Sequence, residues 1–378
     1  MAPPLDLPRE PLLTRLRERA AAGPPLVLAG PPGAGKSTLL RRLGRALEAE
    51  GWRTVSLDFL GAVSSPERFV SAALRALPAD RFGAFLGRAT ELRRAVARRP
   101  DAAAAVESLF ALWSSLEEAG GGPVALLIDE PTEIRSLSYF PGLRQAHALL
   151  AAALAARGRG TVLATSFPTL TRRLFPAFEH LEVGPLAAAE LEPALRRQHV
   201  AADADALLRA TFGWPRYLRL LWPRVAAGEP LAVAWAEEMA AGGALECACR
   251  HGYETLLLRS RGYGMSKALL AAVADEEGLN LTALVARLGR TPGAVRDYIG
   301  WLLGVDALRS ARKRYFYVDG LLRWWVRLHG RGTPVEAAEL RAAAERVMAA
   351  PSEEPVAAEA EAAVPAAPAR HDQLMEID

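Results

Sequence analysis

Cysteine is nearly absent: Cys247 and Cys249 are the only two in 378 residues. Two thiols make neither a disulfide framework nor a four-ligand zinc site, so they read as buried or incidental. Lysine is almost as scarce, at Lys36, Lys267 and Lys313, and arginine supplies the remaining positive charge. No apolar run is long enough to span a bilayer. The nearest, Ala146–Ala156, is short, contains His147 and is followed by Arg157 and Arg159. The N-terminus, with Asp6, Arg9 and Glu10 among prolines, lacks the apolar stretch of a secretion signal. No internal repeat is found. These absences point to a cytoplasmic chain with no membrane partner.

What is present suits two or three domains, since 378 residues exceed one ordinary core and 51% of them are hydrophobic. The net charge of +3 is unevenly spread. The tail Pro351–Asp378 holds seven acids and one base, leaving 45 bases against 36 acids, a net +9, on the rest. A basic body favours acidic partners such as nucleotides or nucleic acid.

Short apolar runs without alternation mark strands covered on both faces. They occur at Leu26–Ala29, Thr54–Leu57, Val124–Ile128, Thr161–Ala164 and Leu181–Val183. Helical patterns lie between them, at Leu39–Glu50, in several segments over Pro66–Ala119 broken at Gly83, Gly87 and Pro100, and at Leu143–Ala156. Strands alternating with helices predict a parallel, three-layer α/β sheet. After Gly184-Pro185 helices dominate. A third region, Gly264–Gly330, carries three helical stretches and an aromatic β-like run, Tyr315–Val318. A charged helix, Val335–Met348, precedes an Ala/Pro/Glu-rich tail whose composition predicts disorder.

Two motifs carry chemistry. Gly30, Pro31, Pro32, Gly33, Ala34, Gly35, Lys36, Ser37 and Thr38 fit G-x-x-x-x-G-K-[ST] between a strand and a helix. The glycines let backbone amides turn inward around phosphates, and the helix N-terminus adds positive potential. Lys36 is placed to reach the β and γ phosphates of ATP, and the Ser37 hydroxyl to ligate Mg²⁺. The second motif, Ala125–Glu130, ends a buried strand in two acids, at the edge where open α/β sheets bind ligands. Asp129 is placed in the Mg²⁺ shell and Glu130 beside the attacking water. Thr165-Ser166 offers a hydroxyl after the fourth strand, or merely a turn. Arg172 and Arg173 follow as surface arginines or an arginine finger. Arg216, in Gly213-Trp-Pro-Arg216, is positioned to reach the nucleotide from the helical region.

With these residues the chain resembles the AAA+/STAND ATPases, especially the archaeal-type ATPases, over about Leu5–Gly330. Pro8-Arg9-Glu10 is similar to that group's introductory motif, Leu163-Ala-Thr165-Ser166 to its sensor-1 strand, and Gly213-Trp-Pro-Arg216 to its Gly-x-Pro module with a sensor-2-like arginine. Tyr315–Trp325 resembles the segment that closes its winged helix, with Gly320 where proline is usual. The resemblance implies a sheet order of 5-1-4-3-2 and four parts. These are an ATPase core over residues 1–184, a helical lid over 185–262, a winged-helix-like domain over 263–331, and a helix with an acidic tail over 332–378. It also implies a Mg-ATP-dependent molecular switch, in which Lys36, Glu130 and Arg216 act on ATP and copies of the chain assemble into homo-oligomers. A DNA loader of the replication-initiator or transposition-helper type and a nucleotide-binding scaffold are the alternatives.

Leu281–Leu288, the turn Gly289–Pro292 and Gly293–Leu303 have helix-turn-helix proportions, with a hairpin over Ala307–Val318. Ten Lys/Arg face three acids between Arg287 and Arg331. Arg296 on the second helix and Arg309, Arg312, Lys313 and Arg314 on the hairpin suit DNA phosphates; a protein-binding or autoinhibitory module is the other reading. Tyr298 and Tyr315 would add groove or backbone contacts, whereas Trp301, Phe316, Trp324 and Trp325 read as core. The terminal His371–Asp378 is either a docking peptide for a protein partner or an unremarkable tail.

Overall fold

The computed structural model describes residues 5–77, 82–83, 86–97, 102–119 and 122–350. The expected break at Pro100 and the whole acidic tail lie outside these residues.

Five strands form one parallel sheet: β1 Leu26–Ala29, β2 Arg53–Asp58, β3 Val124–Asp129, β4 Thr161–Thr165 and β5 Glu179–Glu182. Their order, β2-β3-β4-β1-β5, is the expected 5-1-4-3-2 read from the other edge. Alternate residues of each central strand feed opposite layers. Leu26, Leu28, Ala125, Leu127, Val162 and Ala164 join one core. Val27, Ala29, Val124, Leu126, Ile128 and Leu163 join the other. Both faces are covered, which is why the central runs show no polar alternation. The fifth strand starts two residues before its apolar signal and ends one residue before it. It sits at an edge, pairs with β1 alone among the described residues, and leaves Glu182 exposed.

On the first face pack α1 (Glu10–Ala22) and α2 (Lys36–Ala49). α2 turns Leu39, Leu43 and Leu47 inward, and Gly44 lets it approach Leu127 of β3 closely. The second face holds α3 (Phe59–Ala62), α4 (Pro66–Arg75), α5 (Leu86–Ala97), α6 (Ala102–Ser114) and α7 (Ala146–Arg157). Gly87 therefore falls inside a helix rather than breaking one. Phe59, Phe69, Phe110 and Trp113 pack edge-on and tilted at the centre of this layer. A short α8 (Pro168–Leu174) follows β4.

The helical region comprises α9 (Ala188–Arg197), α10 (Ala204–Thr211), α11 (Pro215–Ala226), α12 (Leu231–Met239) and α13 (Ala244–Arg259). Next come α14 (Tyr263–Asp275), β6 (Leu279–Asn280), α15 (Leu281–Leu288), α16 (Pro292–Gly304), β7 (Leu308–Ala311), β8 (Arg314–Tyr317) and α17 (Gly320–His329). β6, β8 and β7 form a small antiparallel sheet beside the pair α15 and α16. Gly320 is required where it stands: an added Cβ would lie 2.2 Å from the Phe212 ring.

Helix α18 spans Ala337–Ala349. It lays Leu340, Ala343, Ala344 and Val347 against α10 and α12, and Arg209 donates from Nε to the Met348 carbonyl at 2.7 Å. One hydrophobic core runs from the first face of the sheet through the helical region into the C-terminal elements. Among the described residues no helix is long and apolar enough to cross a membrane.

Candidate nucleotide site

The loop between β1 and α2 wraps the C-terminal end of the sheet. Gly33 and Gly35 adopt φ of 88° and 93°, a region that favours glycine, and Gly35 caps α2. The helix begins at Lys36, three residues earlier than its apolar pattern, so Lys36 and Ser37 occupy its first turn. That places their amides among those left free at a helix start. Pro32 and Ser37 are exposed, Thr38 is half-buried, and Gly30 and Ala34 are buried. An added Cβ at Gly30 would meet the Val183 carbonyl at 2.9 Å, so this residue seats the loop rather than facing solvent.

Lys36 is 4% exposed, and its Nζ donates to the Pro31 carbonyl at 2.9 Å, across the loop. Burial pushes its ammonium down to about 8, with Glu130 and Asp129 opposing the change. Asp129 ends β3 beside Asp58 of β2. Burial raises its carboxyl, while the Ser37 side chain and Lys36 pull it down. Its Oδ1 is buried without a hydrogen-bond partner. An orphaned carboxylate oxygen beside a serine hydroxyl and a lysine awaits a cationic or donor group.

Glu130 follows at φ 50°, ψ 56°, a left-handed conformation uncommon for glutamate. Its Oε2 accepts from the Ser166 amide at 3.1 Å, and Oε1 accepts a short bond from the Ser166 hydroxyl. Burial raises its carboxyl, against the Ser166 hydroxyl and Lys36. Ser166 thus faces the site. Thr165 does not: it is fully buried, and its hydroxyl is used by the Phe167 amide and the Thr171 hydroxyl.

Arg216 reaches the loop from α11. Its amide donates to the Gly33 carbonyl at 3.2 Å, and Nη2 donates to the Ala248 carbonyl at 3.2 Å. Gly33, Gly35, Lys36, Ser37, Thr38, Ser166, Arg216, Arg219 and Leu220 line one open cleft of about 390 Å³. The spacing of Arg219 from Arg216, i to i+3, sets both on one helix face, the one sequence signal that points to Arg219. Its guanidinium pKa is lowered by burial and then by Arg42 and Arg41. Arg172 is elsewhere: exposed on α8, it pairs with Glu182 at 2.7 Å, and Arg173 beside it is also exposed. Cys249 is buried near this region, where burial raises its thiol well above the usual range, and Cys247 is half-buried.

Arg9 holds the introductory segment to the helical region. It is buried at φ 52°, donating to Glu190 at 3.1 Å and to the Gly184 and Pro185 carbonyls at 3.0 and 3.2 Å.

A glycine-rich loop, a buried lysine and a helix start lining one cleft, with an acid pair at the strand end in the field of that lysine, define a P-loop nucleotide-binding protein. Residues 8–164 match the model of the AAA ATPase domain family. This part of the chain is an AAA+ P-loop ATPase domain. Among solved structures, the Walker-type ATPase PABY2304 of Pyrococcus abyssi is similar at 16% identity, with a TM-score of 0.63. It covers 85% of this chain and 96% of its own, a likeness of fold. Cdc6p of Pyrobaculum aerophilum matches at 13% identity, covering 91% of this chain and 95% of its own, with a TM-score of 0.36. The RuvB branch-migration motor of Thermotoga maritima matches at 17% identity, covering 82% and 92%, with a TM-score of 0.35. These two likenesses are too distant to bear on what this chain does. No protein of curated function matches the chain.

Proposed function

We propose that this chain is a Mg-ATP-dependent molecular switch of the STAND type that hydrolyses ATP slowly, in the cytoplasm. The loop from Gly30 to Thr38 would hold the triphosphate, with Lys36 on the β and γ phosphates. Asp129 and Ser37 would hold magnesium, and the unpartnered Oδ1 of Asp129 fits such a hard cation. The ion, when bound, neutralises charge on the transferring phosphoryl group. Glu130 would accept the proton of the attacking water, its carboxyl raised by burial and so more basic than an ordinary one. Arg216 would report nucleotide occupancy, with Arg219 beside it.

One observation carries the switch. Arg216 rests on Gly33 of the phosphate loop, and the next residue, Tyr217, donates from its hydroxyl at 2.5 Å to the Asp319 carboxylate of the C-terminal region. A phosphate chain entering the cleft would press on a helix joined directly to that region. Phosphate release from ATP and Mg²⁺ tests this reading. The wild-type chain is expected to turn over slowly and Glu130→Gln to bind ATP without turnover; equal turnover by both refutes the role given to Glu130.

The C-terminal elements support DNA as the partner over a protein-only role. Arg312 and Lys313 form the hairpin turn at φ 50° and 60°, both exposed, with exposed Arg314 next in line. Such turns ordinarily use Asn and Gly, so two strained cations at the tip point to function. Arg296 on α16 is exposed as well, whereas Tyr298 packs over Gly262 and against Trp301. DNA affinity that depends on ATP and falls steeply with salt would favour the loader form of this reading, with assembly of copies on the duplex.

A further inference from the structure

The four residues after β4 touch three parts of the molecule at once. Ser166 binds both carboxylate oxygens of Glu130. Phe167 lies under the guanidinium of Arg259 from α13, 4.3 Å from its ring centre. The same arginine pairs at 2.8 Å with Glu133, in the 3-10 helix that follows Glu130. Thr169, in the first turn of α8, donates its amide at 3.1 Å and its hydroxyl at 2.6 Å to Asp306. Asp306 belongs to the turn between α16 and β7, more than a hundred residues further along the chain.

Asp306 makes this contact under two handicaps. Its backbone sits at φ 54°, a conformation costing roughly 1 kcal/mol or more for a non-glycine residue. Its carboxyl is buried, which pushes it up to about 6 despite the bonds from Thr169 and the fields of Arg172 and Arg173. Strain of this kind persists where the surrounding structure imposes it, often at elements that switch.

The connector between the two ends is stiff. The Thr171 hydroxyl reaches both Thr165 and the Phe167 carbonyl, and the Phe167 amide donates to Thr165. Ser166 and Thr169 are three residues apart, at most about 10 Å along the chain. A displacement at one end therefore has little slack in which to dissipate.

We infer that Asp306 is a positioning residue for Glu130: docked on Thr169, it fixes the Ser166–Thr169 connector so that Ser166 withholds the Glu130 carboxylate from water, and withdrawal of the C-terminal elements releases it. The inference rests on the hydrolytic reading above. With both oxygens held by one neighbour the carboxylate has a single orientation, and a general base acts only on a proton within hydrogen-bond reach. Whatever engages the basic hairpin or α16 would thereby set the rate of turnover.

The test measures phosphate release and ATP affinity on the full chain for the wild type, Asp306→Ala, Asp306→Asn and Thr169→Ala. Asp306→Ala is expected to raise kcat by roughly fivefold, the lower range of ordinary coupling between sites. ATP affinity should stay within about twofold, since no binding group is changed. Asp306→Asn keeps an acceptor for Thr169 and should fall between. Thr169→Ala removes the hydroxyl donor from the other side and keeps the amide, so a smaller gain there carries the same meaning if the Asp306 variants fail to fold. Turnover at or below the wild-type rate in folded Asp306→Ala or Thr169→Ala overturns the inference. Adding Glu130→Gln must abolish the gain; a gain that survives it also overturns the inference. Absence of phosphate release from the wild type and all variants instead overturns the hydrolytic reading, and this inference with it.

Discussion

Gly33 and Arg216 stand so close that a Cβ on the glycine would lie 2.6 Å from the Cβ of the arginine. The phosphate loop and α11 are thus fitted to each other with no space for a methyl group. Gly33 is also at φ 88°, where any other residue is strained. Gly33→Ala is expected to push α11 off the loop and weaken ATP binding by tenfold or more, about 1.4 kcal/mol. Titration calorimetry with Mg-ATP checks this. Unchanged affinity would mean the contact has no part in holding nucleotide.

Arg219 shares the cleft with Arg216. Arg219→Ala should weaken ATP binding several-fold, with a smaller loss at high salt because a cation facing an open cleft is reached by screening ions. Affinity measured at two salt concentrations separates this from a packing effect, which salt would leave unchanged.

Asp306 gives the fold a pH dependence. Its folded pKa, about 6, is raised above the unfolded value of about 3.9. Its contribution is therefore fully present below the unfolded value and lost as pH rises through about 6. Between pH 5 and pH 7 the loss amounts to roughly 1 kcal/mol. Asp306→Asn, which cannot ionise, should gain on the wild type by that amount over the same interval in denaturant titrations. A constant difference between the two proteins would show that Asp306 keeps an ordinary pKa.

The hairpin tip offers a trade between stability and binding. Replacing Arg312 by Asn and Lys313 by Gly supplies the residues such a turn prefers and should stabilise the protein by about 1 kcal/mol. The same change removes two cations, so affinity for duplex DNA should fall and its salt slope become shallower by about 2. Increased stability with unaltered DNA affinity would place any DNA contact elsewhere.

Much of this arrangement is legible in the sequence, for identifiable reasons. Val124–Ile128 and Thr161–Ala164 read as central strands because both their faces are buried. Lys36, Asp129 and Glu130 announce themselves through spacing, and the structure brings Lys36 and both acids together in one field. The helix start at Lys36 was hidden because apolar periodicity begins only where α2 first meets the sheet, at Leu39. The edge strand β5 is displaced from its apolar signal because one side of an edge needs no apolar cover. Helix α18 looks charged, yet Leu340, Ala343, Ala344 and Val347 form a stripe at helical spacing that seats it on α10 and α12. Arg219, Asp306 and the choice of Ser166 over Thr165 belong to tertiary packing, which no local pattern encodes.

The cradle formed by Lys36 and the acid pair is the centre of the account, and binding separated from turnover tests it most directly. Mg-ATP affinity should be measured by calorimetry for the wild type, Lys36→Ala and Glu130→Gln. The expected result is a loss of at least about a hundredfold for Lys36→Ala, near 2.7 kcal/mol, with wild-type affinity for Glu130→Gln. Wild-type affinity in Lys36→Ala would contradict the account.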